Sequence, residues 1–340
     1  MASTIDSGRS DAVPPLAVIV DREGLGDALL KLPFLRAIRR GFPDLPIWWI
    51  ASHQTSMEDE LKPFVSPLLA RVIAHAGLTA PIRDAIPRLK ALPPFECVFD
   101  TRTRIASVLA AKLVLSHRGF YACLPGFLFS DRRPPGRWQR PGGIAERSLS
   151  LAEAALGRAA EWQGRLDVSA VARAVADARL PVGRRYVGLA TGSREVRKNW
   201  PVEHFIALAS ALAARGLVPM FFTGPHEQKQ LAILRRAVPA AVFPQAEPLA
   251  ENVGIAPLEF AAALALRLSA AVANDSGLGH LLGAARIPLV SLFGPTDPRR
   301  WAPFTSNGIV LRAQDFGGDV MDAIPVDAVV AAVERMATGF

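Results

Sequence analysis

The segment LAVIVDREGLGD, residues 16–27, joins a short apolar run to a turn that contains two glycines. A run of five apolar residues has the length of a buried strand, and Gly24 and Gly26 allow the backbone to turn sharply after it. A strand that leads through a glycine turn into a helix is the opening unit of an open α/β sheet, where ligands bind at the carboxyl edge. The segment therefore predicts a parallel α/β fold with Asp27 at its ligand-binding edge.

Two alternative roles exist for this turn. Aspartate is a favoured N-cap residue, so Asp27 is also compatible with simply starting the helix. A dinucleotide site, and with it a nicotinamide-dependent oxidoreductase, is disfavoured by two features. Leu29 stands where the third glycine of that fingerprint belongs, and the second apolar run is followed by Ser52 and His53 rather than by an acid.

The same alternation of short apolar runs and helical periodicity continues along the chain, which predicts parallel sheets built from β-α-β units. The further candidate strands are 47–50, 97–99, 186–189, 218–222, 271–273 and 289–293. Because 340 residues exceed the usual size of one core, we expect two Rossmann-like domains. We place them at 1–170 and 185–340, with a linker at 171–184; the last helix, near 326–336, is compatible with packing on either.

Composition excludes several classes of protein. No apolar run reaches the roughly 20 residues that span a bilayer, and the polar residues 1–11 do not form a signal peptide. Cys97 and Cys123 provide neither a disulfide framework nor the spacing of metal ligands. We therefore expect a cytoplasmic protein without a transmembrane segment and without a structural metal.

The net charge of +8 is concentrated in the first half of the chain. Residues 1–180 hold 24 Lys and Arg against 18 Asp and Glu, whereas residues 181–340 hold 15 against 13. A Pro- and Gly-rich stretch contains six arginines and only two acids. The arginines are Arg118, Arg132, Arg133, Arg137, Arg140 and Arg147. The stretch fits either an anionic partner or a solvated loop. Nucleic acid is disfavoured, because aromatic residues are not interleaved with the arginines.

A second turn, TGSREVRKNWP at residues 191–201, follows the first candidate strand of the second half. Backbone N–H groups at Thr191 to Ser193 and the positive charge of Lys198 are suited to a diphosphate. The turn is not an ATPase loop, because its second glycine and the hydroxyl residue after the lysine are absent. A solvated basic turn is the alternative.

A third segment, ANDSGLGHL at residues 273–281, lies between a strand and an alanine-rich helix. Small residues at a helix start leave N–H groups open to an anion, so Ser276 and Gly277 are diphosphate candidates. Asp275 is suited to sugar hydroxyls, and His280 to a donor contact or to helix packing. Asp275 and Ser276 are also natural caps. Glu227, after the Gly224-Pro225 turn, is a candidate for ribose or an exposed helix-start acid.

In combination these motifs resemble glycosyltransferase family 9, the lipopolysaccharide heptosyltransferase family. The matching residues are Arg22 with Gly26-Asp27, then 33–39, 99–102, 192–201, 224–227, 274–277 and 294–298, in the order of the family. Arg102 departs from the Gln or His common in the family, and Gly279 departs from its more usual Ser, Pro or Met.

The resemblance implies a GT-B fold with a cleft between two domains and an inverting transfer from a donor of the ADP-heptose type. It implies that Asp27 is the general base, with Gly26, Arg102 and Arg104 on the acceptor side. It further implies that donor and phosphate contacts come from Thr191, Ser193, Lys198, Glu227, Asp275, Ser276, Gly277 and His280. It requires no cofactor or metal, and the expected acceptor is an anionic glycolipid at the inner membrane surface. Two alternatives to this function are a family member that uses a different nucleotide-hexose donor and an inactive nucleotide-binding homologue.

Overall fold

The structure is a computed structural model that describes residues 13–136, 139–162, 164–224, 228–249 and 253–337. Within these residues, two parallel sheets of five strands each confirm the predicted α/β fold. The strands are β1 Leu16–Val20, β2 Ile47–Ala51, β3 Arg71–Ile73, β4 Phe95–Asp100, β5 His117–Ala122, β6 Tyr186–Ala190, β7 Val218–Phe221, β8 Leu268–Asn274, β9 Leu289–Phe293 and β10 Gly308–Arg312.

Helices connect the strands and cover both faces of each sheet. In the first half they are α1 Leu25–Leu30, α2 Leu32–Gly41, α3 Lys62–Val65, α4 Ile82–Lys90, α5 Ile105–Val114 and α6 Ile144–Leu156. In the second half they are α7 Ala170–Arg179, α8 Val202–Ala213, α9 Gln228–Ala237, α10 Pro257–Ala265, α11 Gly277–Ala284, α12 Pro298–Trp301 and α13 Val326–Ala337. Among the described residues, no helix has both the length and the apolar character needed to cross a bilayer.

Both sheets are parallel, but their strand orders differ. The strand order is β3-β2-β1-β4-β5 in the first and β10-β9-β8-β6-β7 in the second. Strand β1 pairs with β2 and β4 and is fully buried, as is β6 between β7 and β8. A central strand covered by helices on both faces needs apolar side chains on both sides, which explains why these runs are continuous rather than alternating.

The strands that sequence patterns did not predict, β3, β5 and β10, all lie at the edges of the sheets. Strand β3 has only three residues, β5 begins with His117 and Arg118, and β10 alternates exposed and half-buried residues. Edge strands face solvent on one side, and β3 is short while β5 begins with polar residues; β10 does contain the apolar run Ile309-Val310-Leu311.

The chain between the sheets is more ordered than a linker. Residues 170–179 form α7, which Ser169 caps through a hydrogen bond from the Ala172 N–H, and α7 packs on α10 of the second half. The last helix, α13, packs against α8 and strands β8 and β9, so it belongs to the second half rather than returning to the first. The domain limits at 170 and 185 stay a prediction.

Candidate active site

The two halves meet where α1 and α11 pack together, each directly after the carboxyl end of a central strand or its loop. A Cβ atom on Gly26 would lie 2.7 Å from Cδ2 of His280, and one on Gly277 would lie 3.0 Å from Cδ2 of Leu25. Only glycine allows this approach of the two helices. Gly26, expected on the acceptor side, is therefore a packing contact between the halves.

A cavity of about 390 Å³ opens between the carboxyl edges of the two sheets. Its first wall consists of Gly24, Leu25, Gly26 and Asp27, and Trp301 lies at its border. Its second wall consists of Gly192, Ser193, Arg194, Glu195, Lys198, Asp275, Ser276, Gly277, Leu278 and His280. The predicted base and most predicted donor contacts, which are far apart in sequence, thus line one cleft.

Lys198 lies on the second wall within reach of two carboxylates. Its Nζ is 3.0 Å from Oδ2 of Asp275 and 3.3 Å from Oε1 of Glu195, and the lysine side chain keeps 17% of its surface exposed. The hydroxyl of Thr296 donates to the same Asp275 oxygen at 2.7 Å. Lys198 is thus held at the cavity surface between two carboxylates.

Buried Asn274 ties the loops of this wall together. Its Oδ1 accepts the backbone N–H of Trp200 at 3.1 Å, and its Nδ2 donates to the carbonyl of Thr191 at 2.7 Å. Trp200, itself buried, donates through Nε1 to the carbonyl of Ile324 at 3.0 Å. The loop that carries Lys198 is therefore fixed relative to Asp275, which follows Asn274 directly.

Helix α11 presents its N-terminus to the cavity. Ser276 is its N-cap and accepts the Gly279 N–H through Oγ at 3.2 Å, while the first N–H groups of a helix have no partner within it. A Cβ atom on Gly279 would lie 2.9 Å from the carbonyl oxygen of Asn274. A glycine at this position therefore reflects close backbone packing under the loop rather than a lost side-chain role.

Asp27 is the third residue of α1 rather than its N-cap. Gly24 occupies the N-cap position, and the Asp27 carboxylate accepts a hydrogen bond from the Gly24 backbone. Burial raises the pKa of Asp27; the opposing charges of Lys31 and Arg300 lower it, and Glu23 raises it further. A half-buried carboxylate with a raised pKa on the wall of a cleft is suited to accept a proton.

A second cavity of about 200 Å³ adjoins the first, and Asp27 and Trp301 line both. Its wall carries more positive than negative charge, with Asp21, Arg22, Lys31, Arg102, Arg147 and Arg300 among its residues. Arg147 donates to the Gly142 carbonyl at 2.7 Å, and the guanidinium of Arg300 lies 4.8 Å from the ring centre of Trp301. An anionic molecule in this cavity would have Asp27 at one end.

Arg102 lines the second cavity, but its guanidinium forms hydrogen bonds within the protein. It is 3% exposed and forms a two-point ion pair with buried Asp100, at 2.9 and 2.6 Å, while also donating to the carbonyls of Leu78 and Ser107. The structure thus corrects the expectation that its guanidinium is available to an acceptor, because four N–H groups are already in use. Arg104 is the exposed N-cap of α5, outside the cavity wall.

Two further predicted donor residues lie at different depths. Thr191 is buried at the end of β6, behind the cavity wall, and takes part through its carbonyl rather than its side chain. Ser193 lies on the wall with its hydroxyl in a local turn to Glu195. Glu227 lies outside the described residues.

His280 is 7% exposed and lies on the cavity wall. Burial lowers the pKa of its imidazole to about 4, assisted by Lys198 and opposed by Asp275, so the ring is neutral at pH 7. Its Nδ1 is buried and has no partner among the described residues. The histidine therefore packs against Gly26 with a neutral ring on the cavity wall.

Sequence reasoning missed the buried network behind Asp27. Glu23 is 1% exposed; its carboxylate pairs with Lys31 Nζ at 2.5 Å and accepts from Trp49 Nε1 and the Thr55 hydroxyl, each at 2.9 Å. It also missed Arg300 and Trp301. Glu23 and Lys31 lie just outside α1 at its two ends, so helical periodicity gave no signal of their ion pair.

The basic stretch predicted near residues 118–147 does not act as one surface. Arg147 lines the second cavity, Arg140 donates to the Cys123 carbonyl at 2.8 Å, and Arg118 pairs with Glu96 at 3.1 Å. Arg137 lies outside the described residues. Both cysteines are free and buried, and burial raises the pKa of Cys123 to about 12, which makes it a poor nucleophile.

Two parallel sheets that face each other across a cleft, with a helix N-terminus and a lysine on one wall and an aspartate on the other, form a fold of the GT-B type. The chain belongs to glycosyltransferase family 9 (heptosyltransferase), whose family model matches residues 105–318. No group of three or more potential metal ligands is found among the described residues.

Named relatives agree with this assignment. The chain is 30% identical over 166 residues to lipopolysaccharide heptosyltransferase 3 of Escherichia coli, which covers 46% of this chain and 48% of that protein, or about half its length. It is 24% identical over 337 residues to lipopolysaccharide heptosyltransferase 1 of Escherichia coli O18:K1:H7, covering 94% of this chain and 97% of that one. In fold it is similar to the E. coli heptosyltransferase WaaC with ADP, at a TM-score of 0.65 and 22% identity, over 95% of this chain and 100% of that one.

Proposed function

We propose that this protein is an inverting glycosyltransferase that moves a heptose, or a closely related sugar, from an ADP-sugar to an anionic lipopolysaccharide core acceptor. The observation that carries the proposal is that Asp27 from the first half and Lys198, Ser276 and Gly277 from the second line one cleft. Family membership and relatives named heptosyltransferases support the sugar, and a fold neighbour whose structure contains ADP supports the nucleotide.

The second wall would hold the donor. The first N–H groups of α11 and the ammonium group of Lys198 provide positive charge for a diphosphate. Asp275 is suited to the sugar hydroxyls or to holding Lys198 in place. Charge develops on the diphosphate as it departs, so donors fixed in advance by Asn274 stabilise that state more than the ground state.

The first wall would carry out the proton transfer. In a single displacement, the acceptor hydroxyl oxygen attacks the anomeric carbon while the bond from that carbon to the diphosphate breaks. Asp27 takes the hydroxyl proton, and ADP leaves with the electron pair of the broken bond. Attack from the side opposite the leaving group inverts the anomeric configuration. The raised pKa of Asp27 makes it a stronger base than an ordinary carboxylate.

The second cavity would receive the acceptor. It adjoins Asp27 and contains Arg22, Arg147 and Arg300, a positive environment that fits a negatively charged sugar. Because Asp27 and Trp301 belong to both cavities, an acceptor there places its hydroxyl beside the base and next to the donor. We propose that the transfer takes place in the cytoplasm, at the inner membrane where such a glycolipid is anchored.

The catalytic roles assigned here require no metal ion, because Lys198 and α11 can neutralise the leaving diphosphate. We therefore expect transfer to continue in excess chelator. A metal-dependent reaction would show a rate that falls with chelator and returns when Mg²⁺ or Mn²⁺ is added.

Ligand-induced stabilisation tests the donor assignment. A ligand at 100 times its dissociation constant raises the unfolding free energy by about 2.7 kcal/mol. We expect ADP to raise the melting temperature more than UDP, GDP or NAD at equal concentration, and ADP-heptose to release ADP when the core acceptor is added. A larger response to UDP or GDP would indicate another nucleotide-hexose donor, and binding without turnover an inactive homologue. A larger response to NAD would contradict the transferase assignment.

A further inference from the structure

An apolar stripe runs along the solvent side of helix α5. Ile105, Leu109 and Leu113 are spaced four residues apart, which places them on one face of the helix. They are 56%, 37% and 74% exposed, while Val108 and Ala111 on the opposite face are buried. Single exposed apolar residues are ordinary on protein surfaces. Three of them on one face of a helix form an apolar patch, and such patches are typical of surfaces that bind a protein or a membrane.

The loop after β5 extends this surface. Leu128 is 46% exposed, although its neighbour Phe127 is buried. An ion pair between Lys112 of α5 and Asp131 joins the loop to the helix, and Ser130 accepts the Ala122 N–H at 2.8 Å. Leu128 is thus held on a loop tied to the α5 stripe, and we call Ile105, Leu109, Leu113 and Leu128 together the α5 face.

Exposed arginines border the α5 face. Helix α5 contains no acid, Arg104 is exposed directly before Ile105, and Arg132 is exposed directly after Asp131. Leucine and isoleucine side chains bordered by cations match the chemistry of an anionic bilayer surface, where headgroups attract the cations and acyl chains receive the apolar groups.

The α5 face also lies beside the acceptor cavity. Thr103, two residues before Ile105, lines the cavity that contains Asp27, Arg147 and Arg300. Arg102 connects the starts of α4 and α5. It donates hydrogen bonds to the carbonyl of Leu78, shortly before α4, and to the carbonyl of Ser107 in α5. A surface that seats α5 on a bilayer therefore brings the rim of this cavity close to the headgroups.

We propose that the α5 face docks this protein on an anionic membrane surface and thereby presents the second cavity to a lipid-anchored acceptor. The inference rests on the proposed function, because an acceptor anchored in lipid is what requires the cavity to face the bilayer. A nucleic acid as the partner would not account for the apolar stripe. A partner protein with a purely polar surface would not account for the apolar side chains beside the cations.

Vesicle binding tests the α5 face directly. The probes are vesicles of phosphatidylcholine, with or without phosphatidylglycerol, and the readout is co-sedimentation. Wild type should bind the vesicles that contain phosphatidylglycerol, and more weakly at high salt. The triple variant Ile105→Gln, Leu109→Gln, Leu113→Gln should lose about tenfold or more of this binding, because three apolar side chains no longer enter the bilayer.

A matched control carries three similarly exposed apolar residues of the second half, Val171→Gln, Ile233→Gln and Val320→Gln, which are 52%, 56% and 59% exposed. It should bind vesicles as wild type does. Melting temperatures of both triple variants show that each is folded. No binding by wild type, or equal binding by wild type and the α5 variant, overturns the proposal.

Kinetics separate this proposal from the proposed function. With a water-soluble, delipidated core saccharide, the α5 variant should transfer sugar as fast as wild type; with the acceptor in vesicles, its Michaelis constant for acceptor should rise about tenfold. If wild type transfers nothing to either acceptor, the proposed function fails while vesicle binding still tests the face. If wild type self-associates in sedimentation and the α5 variant does not, the face is a contact between copies, which overturns membrane docking.

Discussion

Two aspartates face the same cleft from opposite walls, and they are held in different ways. Asp275 lies 3.0 Å from the Lys198 ammonium and accepts from the Thr296 hydroxyl, so its negative charge is paired at hydrogen-bond distance. Asp27 accepts from the Gly24 backbone and lies in a setting where burial has the largest effect on its pKa and raises it.

The difference matches the two proposed roles. A carboxylate fixed by a lysine and a hydroxyl is suited to positioning its neighbours, whereas a desolvated carboxylate with a raised pKa is suited to accepting a proton. In the proposed function, the wall from the second half therefore binds the donor and the wall from the first half takes the proton. The following predictions test this division, beginning with the largest expected effect.

Replacing the reacting group should cause the largest loss. Asp27→Asn keeps the size of the side chain and removes the proton acceptor, so turnover should fall by roughly 10²- to 10⁴-fold while ADP binding persists. Steady-state kinetics and ligand-induced melting shifts measure the two effects. If Asp27 instead serves only to stabilise the first turn of α1, the Asn variant would keep its rate and Asp27→Ala would lose about 0.3–1 kcal/mol of stability.

Removing the cation of the binding wall should cause a smaller loss. Lys198→Ala should weaken donor binding by about 1.5–3 kcal/mol, the usual contribution of a charge-assisted hydrogen bond, which is roughly 10- to 150-fold in affinity. Titration with ADP monitored by calorimetry measures it.

A matched control comes from the same short turn. Arg197 is also paired with Glu195, at 2.8 Å, but is 66% exposed and is not among the residues lining the cleft. Arg197→Ala should leave ADP affinity close to that of wild type. Equal losses in the two variants would show that general positive charge, rather than the place of Lys198, governs donor binding.

The smallest effect concerns the pH at which Asp27 becomes protonated. As a base it is active when ionised, so kcat/KM should fall as pH decreases through its pKa, at a higher pH than for an ordinary aspartate because that pKa is raised. Lys31 lowers the pKa of Asp27, so Lys31→Met should raise it and move the acid side of the profile to higher pH. Glu23 raises that pKa, so Glu23→Gln should move it to lower pH.

Each of these single changes leaves a buried partner unpaired, and breaking a buried pair costs about 3–5 kcal/mol, so melting temperatures must accompany the profiles. The double variant Glu23→Gln with Lys31→Met removes both charges, and its profile should lie between those of the single variants. Profiles that do not move with either change would indicate that the acid side does not report Asp27.

The sequence predicted the central strands and most of the donor wall, for a physical reason. Buried parallel strands are continuous apolar runs, and the loops after them share one sheet edge, so Ser193, Lys198 and Asp275 could be expected to converge. The edge strand β3 escaped the same reasoning, because its three residues are too few to form such a run.

By itself, the sequence determined the α/β class, the order of the motifs and the family, since these depend on residue types and their spacing. Only the tertiary structure decided which charged groups are available. Arg102 and Lys198 both follow strand ends and both pair with an aspartate, but Arg102 is enclosed with four N–H groups in use, while Lys198 borders an open cleft. Burial depends on what packs around a side chain from distant parts of the chain, and local sequence does not contain that information.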